Sequence, residues 1–386
     1  MNGFDHAFEA LFNQLPLPDA VRQLLTMKVV LMLISMGLII GFISVLVLFL
    51  IWLERKISAR IQRRMGPMTS GPSFLRSGNM WFGGLLQTAA DAIKLLTKET
   101  VTPADVDYIV FVLAPCIVFA ASLMAYVVIP FGPDASVSDL NVGVLYLLAV
   151  GSMTVLGIMM AGWGSNSKYS LLGGLRSVAQ MISYEIPMIF AVLGPVLMAG
   201  SLSLQEIIQV QERTAWFIWP NIIGFVVFII AGTAETNRPP FDLPEGESEL
   251  VAGFVTEYSG MQFAMFFLAE FSNMFVISAV AAALFLGGWS LPFGITQMMR
   301  ASGMPHVLFS ALGAVVFLTK TLVIVLILMW VRWTFPRVRV DQLMHFGWKT
   351  LLPFSFVNLL IAAVYMIAYK QIFGEAVFKQ IFGAMS

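Results

Sequence analysis

The stretch Ala234-Glu-Thr-Asn-Arg-Pro-Pro-Phe-Asp-Leu-Pro-Glu-Gly-Glu-Ser-Glu-Leu250, running on through Glu257-Tyr258 to Gly260, sets six carboxylates (Glu235, Asp242, Glu245, Glu247, Glu249 and Glu257) against one cation, Arg238. It does so in a chain that is 59% hydrophobic and only 11% charged, and apolar segments long enough to cross a bilayer flank it on both sides. An acidic loop set directly on a membrane core points to proton or cation traffic, or to the docking of a partner. The remainder of the chain calls for that membrane. With a mean hydropathy of +0.86 and 32 Phe among 386 residues, it carries more apolar surface than one soluble core can bury. The sequence predicts an all-α polytopic membrane protein, residues 1–386 forming a single transmembrane domain.

A membrane helix needs roughly 20 apolar residues. Eight spans meet this, at about 27–53, 108–130, 143–163, 178–200, 216–234, 264–287, 307–331 and 351–370. The loops 54–107, 164–177, 235–263 and 332–350 hold fifteen of the 22 Lys and Arg, against five at the N-terminus and in the segments of the opposite side. The excess of positive charge places those loops in the cytoplasm, or in the matrix if the chain is organellar, and both termini on the other side; the expectation is a bacterial inner membrane with periplasmic termini. The first 26 residues carry Asp5, Glu9 and Asp19, unlike the basic leader of a cleaved signal peptide.

One cysteine, Cys116, cannot build a disulfide framework or an iron–sulfur cluster. His6, His306 and His345 are far apart in sequence. No metal site is expected. In the first loop, Glu54-Arg55-Lys56 and then Arg60, Arg63 and Arg64 lead to Gly66-Pro67, where a helix must break. The bland account of these cations is an anchor on anionic lipid. Farther on, Leu85, Leu86, Ala89, Ile93 and Leu96 recur at helical spacing between Gln87, Asp91, Lys94 and Lys98. This predicts an amphipathic helix along the bilayer surface, able to frame an entrance for a lipid-soluble substrate. Loop 164–177, with Gly173-Gly174 between Lys168 and Arg176, reads as a short turn.

Carboxylates inside spans are costly, and usually face the bundle interior. Glu185 falls about two turns into the fourth span, Glu270 about two turns into the sixth, and Glu235 closes the fifth on the same side. Three helices thus bring carboxylates to a similar depth, which suits proton exchange, although three separately hydrogen-bonded structural glutamates would have the same spacing. Lys320, near the centre of the seventh span, calls for a carboxylate partner or a hydrated pocket. It reads as a proton relay or as half of a structural ion pair.

The string from Glu235 to Leu250, with Glu257-Tyr258, resembles the signature of the H subunit of the proton-pumping NADH:quinone oxidoreductase, respiratory complex I. Other segments agree in order: Glu54-Arg55-Lys56, Gln62 to Pro67, Ala90-Asp91-Ala92-Ile93-Lys94, Ser165 to Ser170, Ser183-Tyr184-Glu185, and Pro336 to His345. The resemblance covers roughly residues 45–350. It departs where Met68 to Phe82 lengthens the first loop and Thr88 follows Gln87, and in the extension before Met27.

The resemblance implies a subunit of eight helices at the junction of the membrane and peripheral arms, forming part of the quinone-binding chamber. Carried over by motif, Arg55, Arg64, Asp91, Phe241, Arg337 and Arg339 line or shape that chamber. Glu185, Glu235, Glu245, Glu247, Glu270 and Lys320 match the family's chain of charges leading toward the pump. Quinone is then a substrate, while NADH, FMN and the iron–sulfur clusters sit on partner subunits, and this chain binds neither metal nor flavin. The partners implied are the peripheral-arm quinone-module subunits, small neighbouring membrane-arm subunits, quinone and lipid, with no nucleic acid. The rival readings are the related membrane subunit of an energy-converting hydrogenase, a cation/proton antiporter and a purely structural anchor.

Overall fold

The computed structural model describes residues 27–68, 83–133, 135–243, 246–292, 295–301 and 305–382. Its elements, in chain order, are α1 (Met27–Ile61), α2 (Leu86–Thr97), α3 (Tyr108–Ala125), α4 (Gly143–Gly164), α5 (Lys168–Ala199), α6 (Leu204–Arg213), α7 (Ile222–Glu235), α8 (Glu247–Leu250) and a 3₁₀ turn (Gly253–Val255). There follow α9 (Gly260–Phe285), α10 (Ile295–Ala301), α11 (His306–Thr334), α12 (Val340–Phe346), a π turn (Gly347–Leu351) and α13 (Leu352–Phe382). No strand occurs among the described residues.

Among the described residues, seven helical stretches are long and apolar enough to cross a membrane: α1, α3, α4, α5, α9, α11 and the run from α12 into α13. The chain is a multi-pass membrane protein. α7 is apolar but has only 14 residues, about 21 Å at 1.5 Å each, and is shorter than the 216–234 expected. Pro220 precedes it, and the segment before it is turned by Gln211, whose side chain accepts from Phe217 N at 3.1 Å. Asn358 of α13 then accepts from the N–H of Gly224 at 2.9 Å, serving one of the amides a helix N-terminus leaves free.

α5 and α9 form the buried centre, each with more than half of its most apolar stretch inside the protein. α5 departs most from expectation. It begins at Lys168 rather than near 178, so the stretch predicted as a short turn is helix. The glycines are there for contact. A Cβ on Gly174 would lie 3.1 Å from Gly162 Cα, and one on Gly173 would lie 2.7 Å from Gly253 Cα. Both are backbone contacts that no side-chain rotation relieves. Gly173→Ala is therefore expected to cost roughly 1–3 kcal/mol, read as a lower melting temperature of the purified protein. An unchanged melting temperature would mean that the turn at Gly253 simply moves aside.

That turn belongs to a core in which Phe111, Val118, Ile158, Met181, Phe254 and Phe266 pack together. Tyr258 stacks on Phe111 with ring centroids 4.1 Å apart, and its hydroxyl donates to Phe111 O at 3.0 Å. The acidic loop is thus fastened to α3 at its far end. At its near end, the fully buried Gln180 of α5 donates to Ala234 O and Phe241 O, both at 2.7 Å.

α2 forms where the apolar spacing predicted it. Leu85, Leu86, Ile93 and Leu96 are exposed while Thr88 is buried, so its apolar face is turned outward. α1 continues to Ile61, beyond the expected end of the first span. The lengthened loop Met68–Phe82 falls outside the described residues, apart from Met68 itself, and the segment before Met27 does so entirely.

Candidate functional site

A buried ion cluster lies where α1, α9, α11 and the acidic loop meet. Arg238, 4% exposed, sets Nη1 3.0 Å from Glu54 Oε2 and Nε 2.8 Å from Glu270 Oε1. Its guanidinium also lies 4.1 Å from the Phe271 ring centroid. Arg332 closes the cluster from α11 with a hydrogen bond to the other oxygen of Glu54, and Asp242 is near enough to act on Glu270 electrostatically. Charges inside a protein need partners of this kind.

From Glu270 a cavity of about 60 Å³, lined also by Met181, Phe254 and Phe266, leads to Glu235 and Asn273. A second cavity of about 70 Å³, lined by Val150, Met188, Phe228 and Ile277, opens from the same Glu235 and Asn273. A water needs roughly 10–15 Å³ of such space, so each has room for several. Glu235 Oε2 is buried with no hydrogen-bond partner among the described residues. Its other oxygen lies against Gly151, where a Cβ would come within 3.1 Å. Glu185 stands close enough for its charge to act on Glu235, and receives a hydrogen bond from Ser152 Oγ. The order in space is therefore Glu54, Arg238, Glu270, a cavity, Glu235 and Glu185.

The other predicted residues lie around this line. Arg55, the residue after Glu54 on α1, pairs with Asp91 of α2 at 2.6 Å, where Gln87 also donates at 3.3 Å. Phe241 is buried, its ring centroid 5.6 Å from that of Tyr184. The Tyr184 hydroxyl donates to Leu343 O at 2.9 Å. Arg337 donates to Leu243 O at 3.2 Å, over Gly246, whose missing side chain leaves room for the guanidinium. Arg64 and Arg339 are exposed, Arg339 at the start of α12. Glu245 lies outside the described residues, and of Glu247 only the helical backbone is described. Glu249 pairs with Arg176 at 2.7 Å, and that hydrogen-bonded guanidinium holds its carboxyl below the usual carboxylate range. Among the described residues, no three of His, Cys, Asp and Glu come together as metal ligands.

A family model described as NADH dehydrogenase matches residues 34–363. The NADH-quinone oxidoreductase H subunit of Dehalococcoides mccartyi is 47% identical over 338 residues, 87% of each chain. That of Carboxydothermus hydrogenoformans is 44% identical over 348 residues, 90% of this chain and 93% of its own. That of Paramagnetospirillum magneticum is 45% identical over 353 residues, 92% and 96% of the two. The chain belongs to the H-subunit family of NADH-quinone oxidoreductase.

In this H-subunit chain the three glutamates come together, and Lys320 does not join them. Its ammonium donates to Leu286 O at 2.7 Å, Gly288 O at 2.9 Å and Ser290 O at 2.5 Å, and lies 4.3 Å from the Trp216 ring centroid. This is the C-terminal end of α9, about 24 Å along the helix from Glu270 at 1.5 Å per residue. Backbone carbonyls at a helix C-terminus supply the negative end of the dipole, so Lys320 is satisfied without a carboxylate. Glu54, Arg238 and Arg332, in contrast, were not singled out as site residues by sequence reasoning, yet they form the ion cluster. The signal available for Glu54 was a carboxylate facing the apolar side of a helix whose next residue is a cation.

Proposed function

We propose that this chain is the membrane subunit of a complex I that joins quinone reduction to proton translocation. Its substrate is a lipid-soluble quinone. The loops carrying Arg55, Arg64, Asp91, Phe241, Arg337 and Arg339 face the cytoplasm, form part of the quinone chamber with peripheral-arm subunits, and leave both termini on the periplasmic side of a bacterial inner membrane. NADH, flavin and iron–sulfur clusters belong to those partner subunits, and smaller membrane-arm subunits pack alongside.

The observation that carries this reading is the continuity from loop to membrane interior. Glu270 is held by Arg238 of the acidic loop and borders the same cavity as Glu235. Quinone reduction adds charge or demands protons next to that loop. A change felt by Arg238 alters what holds Glu270, and a proton shared among Glu270, Glu235 and Glu185 shifts in response. Lys320 is left off this path because its ammonium is committed elsewhere. An antiporter would need no ion cluster tying the loop to α1 and α11.

Glu235→Gln keeps the shape of the side chain and removes its ability to ionise. In the assembled complex, proton pumping is expected to fall severalfold. NADH oxidation by an artificial acceptor that takes electrons from the partner subunits should be unchanged. Pumping per NADH equal to the parent would take Glu235 off the path.

A further inference from the structure

Thr154, Glu235, Thr236 and Asn273 line both cavities and so form the waist between them. Two of the four have their hydroxyl hydrogens committed to helix carbonyls. Thr154 donates to Gly151 O at 2.7 Å, and Thr236 to Thr233 O at 3.0 Å and Gly232 O at 3.2 Å. Asn273 differs. It lies one turn beyond Glu270 on α9, and i and i+3 residues share a helix face. Its amide is tied to no other group among the described residues. An amide offers two donors and an acceptor, and so serves a water in either orientation. Across the waist, Glu235 presents Oε2 without a partner, while the rest of both linings is largely aliphatic and aromatic. Water left alone in such surroundings loses hydrogen bonds, and a buried water typically needs about three.

We propose that Asn273 is a positioning residue that holds water across the waist between Glu270 and Glu235. The inference rests on the coupling reading of this site and adds to it the group that completes the connection. When Glu270 gives up its proton, its O–H bond breaks as a water gains that proton. The water chain releases another proton to Glu235 Oε2, and no electron moves. Asn273 neither gains nor loses a proton, but accepts from and donates to the water that does.

Three variants in the assembled complex, in membrane vesicles, test this, with pumping expressed per assembled complex and per NADH. Asn273→Leu fills the waist with an apolar side chain and is expected to lower pumping at least threefold. Asn273→Val, which is smaller, should give the same result where leucine is not accommodated. Asn273→Ser, with a hydroxyl and space for one more water, should recover at least half of the parent value. Parent-level pumping by the leucine and valine variants would overturn the proposal, as would equal loss in the apolar and serine variants. Measuring Glu235→Gln alongside separates the two levels. If it too pumps like the parent, the coupling reading falls and this inference with it. If it is impaired while the apolar Asn273 variants are not, only the role of Asn273 falls.

Discussion

Replacing Arg238 by methionine is expected to strip this subunit from the assembled complex, or to leave a complex that melts well below the parent. Methionine retains much of the packing volume, including the contact with Phe271, so what is lost is charge and hydrogen bonding. Arg238 and Arg332 together face Glu54, Glu270 and Asp242. Without Arg238, three carboxylates share one guanidinium in a largely buried place. Removing one member of a buried ion pair costs about 3–5 kcal/mol, a large part of the 5–15 kcal/mol that typically separates folded from unfolded protein. Arg238→Lys keeps the charge, but a single ammonium cannot reproduce the fork that reaches Glu54 and Glu270 from two nitrogens. It should give an intermediate loss. Native-gel abundance and the melting temperature of the purified complex are the measurements. Normal abundance and melting for the methionine variant would show that the cluster is not what fastens α1, α9 and α11 to the loop.

The cluster also shows where sequence reading stops. Glu185, Glu235 and Glu270 were legible because each interrupts an apolar run, and a carboxylate at that depth is conspicuous. Glu54 is no less buried, but it adjoins Arg55 and Lys56 at a helix end, where a charged string reads equally well as a lipid anchor. What separates the two readings is Arg238, 184 residues away, and only tertiary packing brings it there. Gly173-Gly174 is ambiguous for a related reason. A glycine pair is the same signal whether it frees the backbone for a turn or lets backbones touch, and here the partners, Gly162 on the preceding helix and Gly253 eighty residues beyond Gly173, are set by tertiary packing. The amphipathic α2 was readable because its period is local. Asn273 was not, since one amide in an apolar helix acquires meaning only from the two cavities it borders.

Lys320 gives the complementary case, and its replacement by methionine is expected to damage stability while sparing the coupling. α9 ends at Phe285, and Gly287 and Gly288 follow with φ of +69° and +52°, the left-handed conformation that glycine adopts without strain. Gly288 N–H returns to Ala282 O at 2.8 Å, and in this arrangement the carbonyls of Leu286, Gly288 and Ser290 converge on one ammonium. Backbone carbonyls leave no mark in a sequence, so a lysine in mid-span reads as calling for a carboxylate partner or a hydrated pocket. Methionine would leave those acceptors facing an apolar group. Each buried acceptor without a donor costs about 1–3 kcal/mol, and the three together would cost on the order of 3–6 kcal/mol, since the loop can relax and recover part of the loss. The thermal stability of the purified complex should drop accordingly, and the complex that does assemble should pump as many protons per NADH as the parent. Were Lys320→Met instead to assemble and melt normally while pumping collapsed, the ammonium would be carrying protons rather than holding the end of α9.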